Sequence, residues 1–167
     1  GHGQAALGLL RAHGRLQATV FDQPHAAEGA DAAIAQAGLT ARCRFQPGSF
    51  FEQVPSGADV YLMKSILHNW DDDHCQRIVQ TVRAALPAHG RLLLVERVRP
   101  DRLRPGARDE AVARTDLNMM AGLGGRERSV DEYAALLAPA GLVIHDVQPL
   151  GFEFSRVEVR IGGSAAG

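Results

Sequence analysis

The sequence predicts an α/β domain: a mostly parallel sheet with helices on both faces, closed by an antiparallel hairpin. Short apolar runs, such as Tyr61-Leu62-Met63 and Leu92-Leu93-Leu94-Val95, alternate with stretches whose apolar residues recur every three or four positions. The last two apolar runs, 143–147 and 154–161, are joined by a short Pro149-Leu150-Gly151 turn, which suits antiparallel neighbours. No internal repeat or second domain stands out, so one domain over 1–163 with a tail at 164–167 is expected.

Taken in order, residues 7–13 have helical spacing, and Ala18-Thr19-Val20-Phe21-Asp22 is strand-like and ends in an acid. An alanine-rich helix over 26–37 stops at Gly38, a good C-terminal glycine. A strand over 42–45 and a turn at Gln46-Pro47-Gly48-Ser49 follow. Asp59 to Met63 is a buried strand, and the helix after it shows Cys75, Ile78, Val79, Val82 and Leu86 on one face. Pro87 and Gly90 close that helix ahead of the strand that ends at Glu96. Residues 99–110, with Pro100, Pro105 and Gly106, form an exposed connection. A helix over 110–123 directs Val112, Leu117 and Met120 inward, and Gly124-Gly125 breaks it. Ser129-Val130-Asp131-Glu132 has the form of a capping box, starting a helix that buries Tyr133, Leu136 and Leu137.

Composition narrows the function. The 167 residues are 46% apolar with a net charge of −1, and acids and bases are mixed along the chain. That argues against a nucleic-acid footprint or a polybasic membrane arm. No apolar run approaches the roughly 20 residues that span a bilayer, and no signal-peptide pattern opens the chain. Cys43 and Cys75 have no metal-type spacing, so reduced thiols in a cytoplasmic protein are expected.

The chemistry-bearing stretch is Met63-Lys64-Ser65-Ile66-Leu67-His68-Asn69-Trp70-Asp71-Asp72-Asp73. It sits at the carboxyl end of a strand, where open α/β sheets bind ligands. His68 has a plain reading as a bridge between loop carbonyls, and two acids weigh against it. Glu96 ends the adjacent strand, at a spacing of roughly 4.8 Å, and Glu127 lies in a glycine-bounded loop suited to reaching into a cleft. Carboxylates beside a histidine fix its tautomer and favour its protonated form, which suits a general base. The three aspartates are explained as helix-capping acids, and no metal site is expected. Trp70, Met119 and Met120 suit core packing. Gly1-x-Gly3-x-x-Ala6, with Asp22 nineteen residues beyond Gly3, has the form of a nucleotide-binding turn and its ribose-contacting acid. The same pattern also fits an ordinary tight turn, and the strand that should precede it is absent.

Leu62-Met63-Lys64-Ser65-Ile66-Leu67-His68-Asn69-Trp70-Asp71-Asp72-Asp73-His74-Cys75, then Leu92-Leu93-Leu94-Val95-Glu96-Arg97-Val98, then Gly124-Gly125-Arg126-Glu127-Arg128-Ser129 resemble, in order, the caffeic-acid and hydroxyindole O-methyltransferase family in its bacterial small-molecule form. The resemblance runs over nearly the whole chain. It implies a Rossmann-like methyltransferase sheet ending in a reversed hairpin, with S-adenosyl-L-methionine as cofactor and a small-molecule hydroxyl as acceptor. It implies His68 as general base flanked by Glu96 and Glu127. Gly1, Gly3, Asp22, Gly48, Ser49, Phe50 and Lys64 are implied at the cofactor, and Asn118 and Met119, with Met120, at the acceptor.

Three departures accompany the resemblance. Ser49 stands where many relatives have an acid near adenine, which leaves Phe50 to cover the ring face. The family's N-terminal helical domain, its route to a homodimer, is missing. So is the first strand of the cofactor domain, without which the strands ending at Asp22 and Lys64 each lose a neighbour. The chain is therefore expected to be a fragment that is inactive alone. A nicotinamide-dependent dehydrogenase also fits the glycine pattern and Asp22, although the terminal hairpin and the histidine with two glutamates fit it poorly. A non-catalytic cofactor-binding relative is the other alternative.

Overall fold

The computed structural model describes residues 1–100, 106, 124–151 and 153–163. It divides into two compact units, Gly1–Pro55 and Ser56–Gly167. The helix expected over 110–123 lies outside the described residues.

In the first unit, α1 (Gln4–Ala12) leads to β1 (Ala18–Asp22), and a 3-10 turn at Pro24–Ala26 runs into α2 (Ala27–Gln36) and then β2 (Cys43–Pro47). Helix α1 starts earlier than its apolar spacing suggests, because Gly3 takes the N-cap position at φ 74° and its carbonyl accepts the Leu7 amide. Gly38, at φ 68°, ends α2 as expected. The Arg42 guanidinium donates to the carbonyls of Leu10, His13 and Leu16 at 2.9 to 3.2 Å, closing the C-terminal end of α1 from 26 or more residues away. Strands β1 and β2 pair in parallel from Ala18↔Cys43 to Asp22↔Pro47. Pairing carries β2 through Gln46 and Pro47, past the point where the turn residues would end it. Leu7, Leu10, Val20, Ile34, Leu39 and Cys43 form the core of this unit.

The second unit holds β3 (Val60–Lys64), a 3-10 turn at Leu67–Asn69, α3 (Asp72–Ala85), β4 (Arg91–Arg97), α4 (Val130–Leu137), β5 (Leu142–Gly151) and β6 (Phe154–Ile161). The strand order is β3-β4-β6-β5; β3 and β4 are parallel, and β6 is antiparallel to both its neighbours. The last strand thus lies inside the sheet and β5 at its edge. Their burial explains this: Ser155, Val157, Glu158 and Val159 of β6 are buried, whereas Val143 and Leu150 of β5 are exposed. An edge strand also tolerates Pro149, where the register shifts. The hairpin turn consequently falls after Gly151, where the Pro149-Leu150-Gly151 signal alone would have placed it earlier.

All five apolar positions expected on the inner face of α3 are buried, as are Tyr133, Leu136 and Leu137 of α4. Asp71 caps α3, its carboxylate accepting the His74 amide at 2.9 Å. On β4 the pleat buries every second residue, Leu92, Leu94 and Glu96. A carboxylate is therefore the third member of an apolar series. Among the described residues β1 pairs with β2 alone and β3 with β4 alone, so each keeps one edge without a ladder partner. No described helix is long and apolar enough to cross a membrane.

The capping box at the start of α4 closes in both directions. The Glu132 amide donates to Ser129 Oγ at 3.3 Å and the Ser129 amide to Glu132 Oε2 at 2.8 Å. Ser129→Ala is expected to cost about 1 kcal/mol of unfolding free energy, and Ser129→Thr much less. A denaturant midpoint unmoved by Ser129→Ala would remove the box from the stability of this unit.

Candidate active site

Between β3 and α3 the chain makes one tight turn, and His68 sits in it. Ser65 opens the turn at φ 55°, a left-handed conformation that costs a non-glycine residue roughly 1–2 kcal/mol. Local hydrogen bonds hold it there: the Ser65 amide donates to the Val95 carbonyl at 3.0 Å, and the Asn69 side-chain amide donates to the Ser65 carbonyl at 3.1 Å. The next two amides, of Ile66 and Leu67, both donate to Glu96 Oε1, at 2.9 and 3.0 Å. Leu67 is fully buried and pins the turn to the core.

This arrangement leaves the His68 ring nearly buried between two acids. Nδ1 lies 3.3 Å from Glu127 Oε1 and 3.7 Å from Glu96 Oε2. Both carboxylates address the same nitrogen, so Nδ1 carries the proton and Nε2 keeps the basic lone pair. The hydrogen bond to Glu127 raises the pKa of the imidazole above its ordinary value, burial opposes the rise, and the charges of Glu96 and Glu127 add to it. Burial raises the pKa of Glu96 as well, against the pull of His68 and the two amides.

Glu127 reaches the ring from a strap, residues 124–128, whose flanking residues are as closely fitted as the acid. A Cβ on Gly125 would fall 2.0 Å from the His68 carbonyl oxygen and 2.8 Å from the Trp70 nitrogen, so only glycine lets the strap lie against the turn. Arg128 is completely buried. Its Nη1 donates to the Leu67 carbonyl at 3.0 Å and its Nη2 to the Trp70 carbonyl at 2.9 Å, while Nε and Nη2 both donate to Asp72 Oδ1. Arg126 pairs with the other Asp72 oxygen at 2.7 Å. Two of the three aspartates after Trp70 thus have structural partners: Asp71 caps the helix and Asp72 anchors the strap. Sequence reasoning singled out Glu127 and passed over Arg128. The available signal was an arginine next to the acid in the same glycine-bounded loop, with Asp72 beside the histidine as a matching anion.

The residues expected at the cofactor lie in different units. In the first, the glycine turn packs against β1, the strand that ends in Asp22. A Cβ on Gly3 would fall 2.5 Å from the Val20 side chain, so that glycine is required by packing as well as by φ. The Gly48 amide donates to the Asp22 carbonyl at 2.9 Å, setting the segment of Gly48, Ser49 and Phe50 beside the acid. The Ser49 hydroxyl accepts the Phe51 amide at 3.3 Å, and the Phe50 and Phe51 rings meet edge to face. In the second unit Lys64 ends β3 with its amine 4.7 Å above the Phe154 ring, a ring that also receives the Arg97 guanidinium at 4.6 Å. Asn118, Met119 and Met120 lie outside the described residues.

Comparison with known proteins identifies the family. The chain is 38% identical over 160 residues to the phenazine O-methyltransferase PhzM of Lysobacter antibioticus, covering 96% of this chain and 46% of that protein. It is 42% identical over 139 residues to the O-demethylpuromycin-O-methyltransferase of Streptomyces alboniger, covering 83% and 37%. The crystal structure of NcsB1, an O-methyltransferase from neocarzinostatin biosynthesis in complex with S-adenosylmethionine and 2-hydroxy-5-methyl naphthoic acid, superposes with a TM-score of 0.86 at 33% identity, covering 96% of this chain and 46% of that one. The chain therefore spans less than half the length of these relatives. The model of the O-methyltransferase domain family matches residues 1–143, and with its Rossmann-like fold this chain belongs to that family.

Proposed function

We propose that the protein carrying this chain transfers a methyl group from S-adenosyl-L-methionine to a hydroxyl of a small aromatic or polyketide-like acceptor, with His68 as general base. The observation that carries the reading is the buried imidazole with both carboxylates nearest Nδ1, an arrangement that leaves Nε2 as the basic nitrogen. The names of the relatives support the acceptor class: phenazine and 3-amino-4-hydroxybenzoate, named in two of them, are aromatic, as is the naphthoic acid in the NcsB1 complex.

The first unit fits a nucleoside. Its glycine turn has no room for a side chain at Gly3, an acid closes the end of β1, and the Gly48 segment is tied to that acid. In this proposal Gly1 and Gly3 admit the cofactor to the backbone, Asp22 takes the ribose hydroxyls and Phe50 covers the adenine face; Lys64, at the end of β3, is also assigned to the cofactor. When bound, the cofactor supplies a sulfonium-linked methyl, which is electrophilic without further activation.

The chain's own task is then the acceptor. A phenol, with a pKa of about 10 by analogy with tyrosine, is mostly protonated at neutral pH. His68 Nε2 would take that proton from the acceptor hydroxyl and leave the oxygen as the nucleophile, and the new charge on the ring would be shared with Glu127 and Glu96 through Nδ1. Asn118 and Met119 belong to the acceptor pocket in this reading. A homodimer of the intact protein, assembled through an N-terminal domain beyond these residues, and a cytoplasmic setting complete the proposal. The setting suits two free, buried thiols, Cys43 and Cys75.

His68→Ala in the intact protein is expected to lower turnover by about 10²–10⁴-fold while calorimetry still shows cofactor binding. Turnover close to that of the parent enzyme would remove His68 from the role. The base works only when neutral, and its pKa is raised, so activity is expected to climb with pH along a limb lying above the ordinary histidine value of about 6.5. Glu127→Gln keeps an acceptor for Nδ1 but removes the charge, so the limb is expected to move to lower pH. A pH–rate profile indifferent to that substitution would uncouple Glu127 from the histidine.

A further inference from the structure

We propose that Arg128 is a positioning residue for the His68 imidazole, its guanidinium holding the backbone on both sides of His68 so that Nδ1 meets the Glu127 carboxylate. Besides the Arg126 carbonyl of its own strap, at 3.5 Å, the carbonyls it engages belong to Leu67, immediately before the histidine, and Trp70, two residues after it. A further partner, Asp72, stands in the first turn of α3, where the chain leaves the turn. One planar group therefore spans the entry and the exit of the segment that carries the ring.

Three features make this more than a buried ion pair. The carboxylate addressing the ring comes from Glu127, the residue adjacent to Arg128, so the strap that docks through the guanidinium is the strap that delivers the acid. Gly125, three residues earlier, touches the same turn backbone at closest approach, so strap and turn meet over a short span with no slack for a side chain. Moreover, all three guanidinium nitrogens are engaged, at 2.7 to 3.1 Å for the bonds to Leu67, Trp70 and Asp72. Lysine keeps the charge and lacks the planar fork, so it cannot hold the three acceptors in this geometry. A displacement of about 1 Å at a catalytic group can cost about 10²-fold in rate. Only the effect on turnover rests on His68 as the base; the positioning of the ring is a separate, directly measurable claim.

The test is Arg128→Lys in the intact protein. NMR titration of labelled histidine follows the His68 imidazole, with assay of the pH–rate profile, cofactor affinity and thermal midpoint alongside. The imidazole pKa is expected to fall towards the ordinary histidine value, the acid limb to move with it and kcat to drop by about 10²-fold, while cofactor affinity is unchanged. A lowered thermal midpoint with the imidazole pKa and kcat as in the parent enzyme would overturn the proposal and leave Arg128 a purely structural role. A shifted imidazole pKa with undiminished kcat would uphold the positioning and sink the base assignment. If Arg128→Lys does not fold, Asp72→Asn keeps the arginine and removes the charge that orients it. A smaller fall of the imidazole pKa is expected there, and no change would overturn the proposal.

Discussion

The second unit depends on the capture of one short turn from two sides. On one side Glu96, held in the buried row of β4 by the pleat, offers Oε1 to the amides of Ile66 and Leu67. On the other the 124–128 strap closes against the turn through Gly125, Glu127 and Arg128. Amides are satisfied by a carboxylate and carbonyls by a guanidinium, which adds to the few backbone bonds that the 3-10 turn makes for itself. The left-handed Ser65 is tolerable only because both its peptide groups are bound, and strain of this kind collects where the surroundings over-determine the backbone.

Placing His68, Glu96, Glu127 and Arg128 together in the interior is unfavourable for stability alone. Desolvating charged groups costs several kcal/mol each, and apolar replacements of similar volume are often as stable or better. The arrangement makes sense as positional control. Glu96 has two jobs on two oxygens, one binding the turn and the other sharing the imidazole with Glu127. Burial raises the pKa of Glu96 itself, while the neighbouring histidine and amides pull the other way and favour its charged form. Arg128 is itself compensated by Asp72 and the surrounding carbonyls, and its own pKa stays high despite burial because Asp72 holds the charged form.

The first unit shows the complementary strategy, in which small residues make room and one cation closes an end. Gly3 is required by its positive φ and by the Val20 side chain behind it, and the same residue starts α1. Gly48 packs against the Phe21 ring, where a Cβ would fall 2.5 Å from it, beside the acid that ends β1. The glycines are therefore explained by packing in their own right, and a nucleoside-accepting backbone is the use to which the proposed function puts them. Arg42, like Arg128, brings donors from far along the chain to carbonyls at the end of a helix or turn.

The amino-acid sequence by itself determined what is local and periodic. The α3 face, the capping box before α4, Gly38 at the end of α2 and the terminal hairpin all follow from spacing that the chain reads within a few residues of itself. His68, Glu96 and Glu127 were legible as candidates because strand ends and glycine-bounded loops mark where side chains converge. Only the tertiary structure decided that β6 lies between β4 and β5, that both acids address the same ring nitrogen, and that Arg128 and Gly125 hold the turn. Those facts depend on partners about 30 to 60 positions apart, and a backbone carbonyl or a gap too narrow for a Cβ leaves no signature in the residue types around it. Strand order in particular is a competition between burial on two faces, which no single strand's pattern reveals.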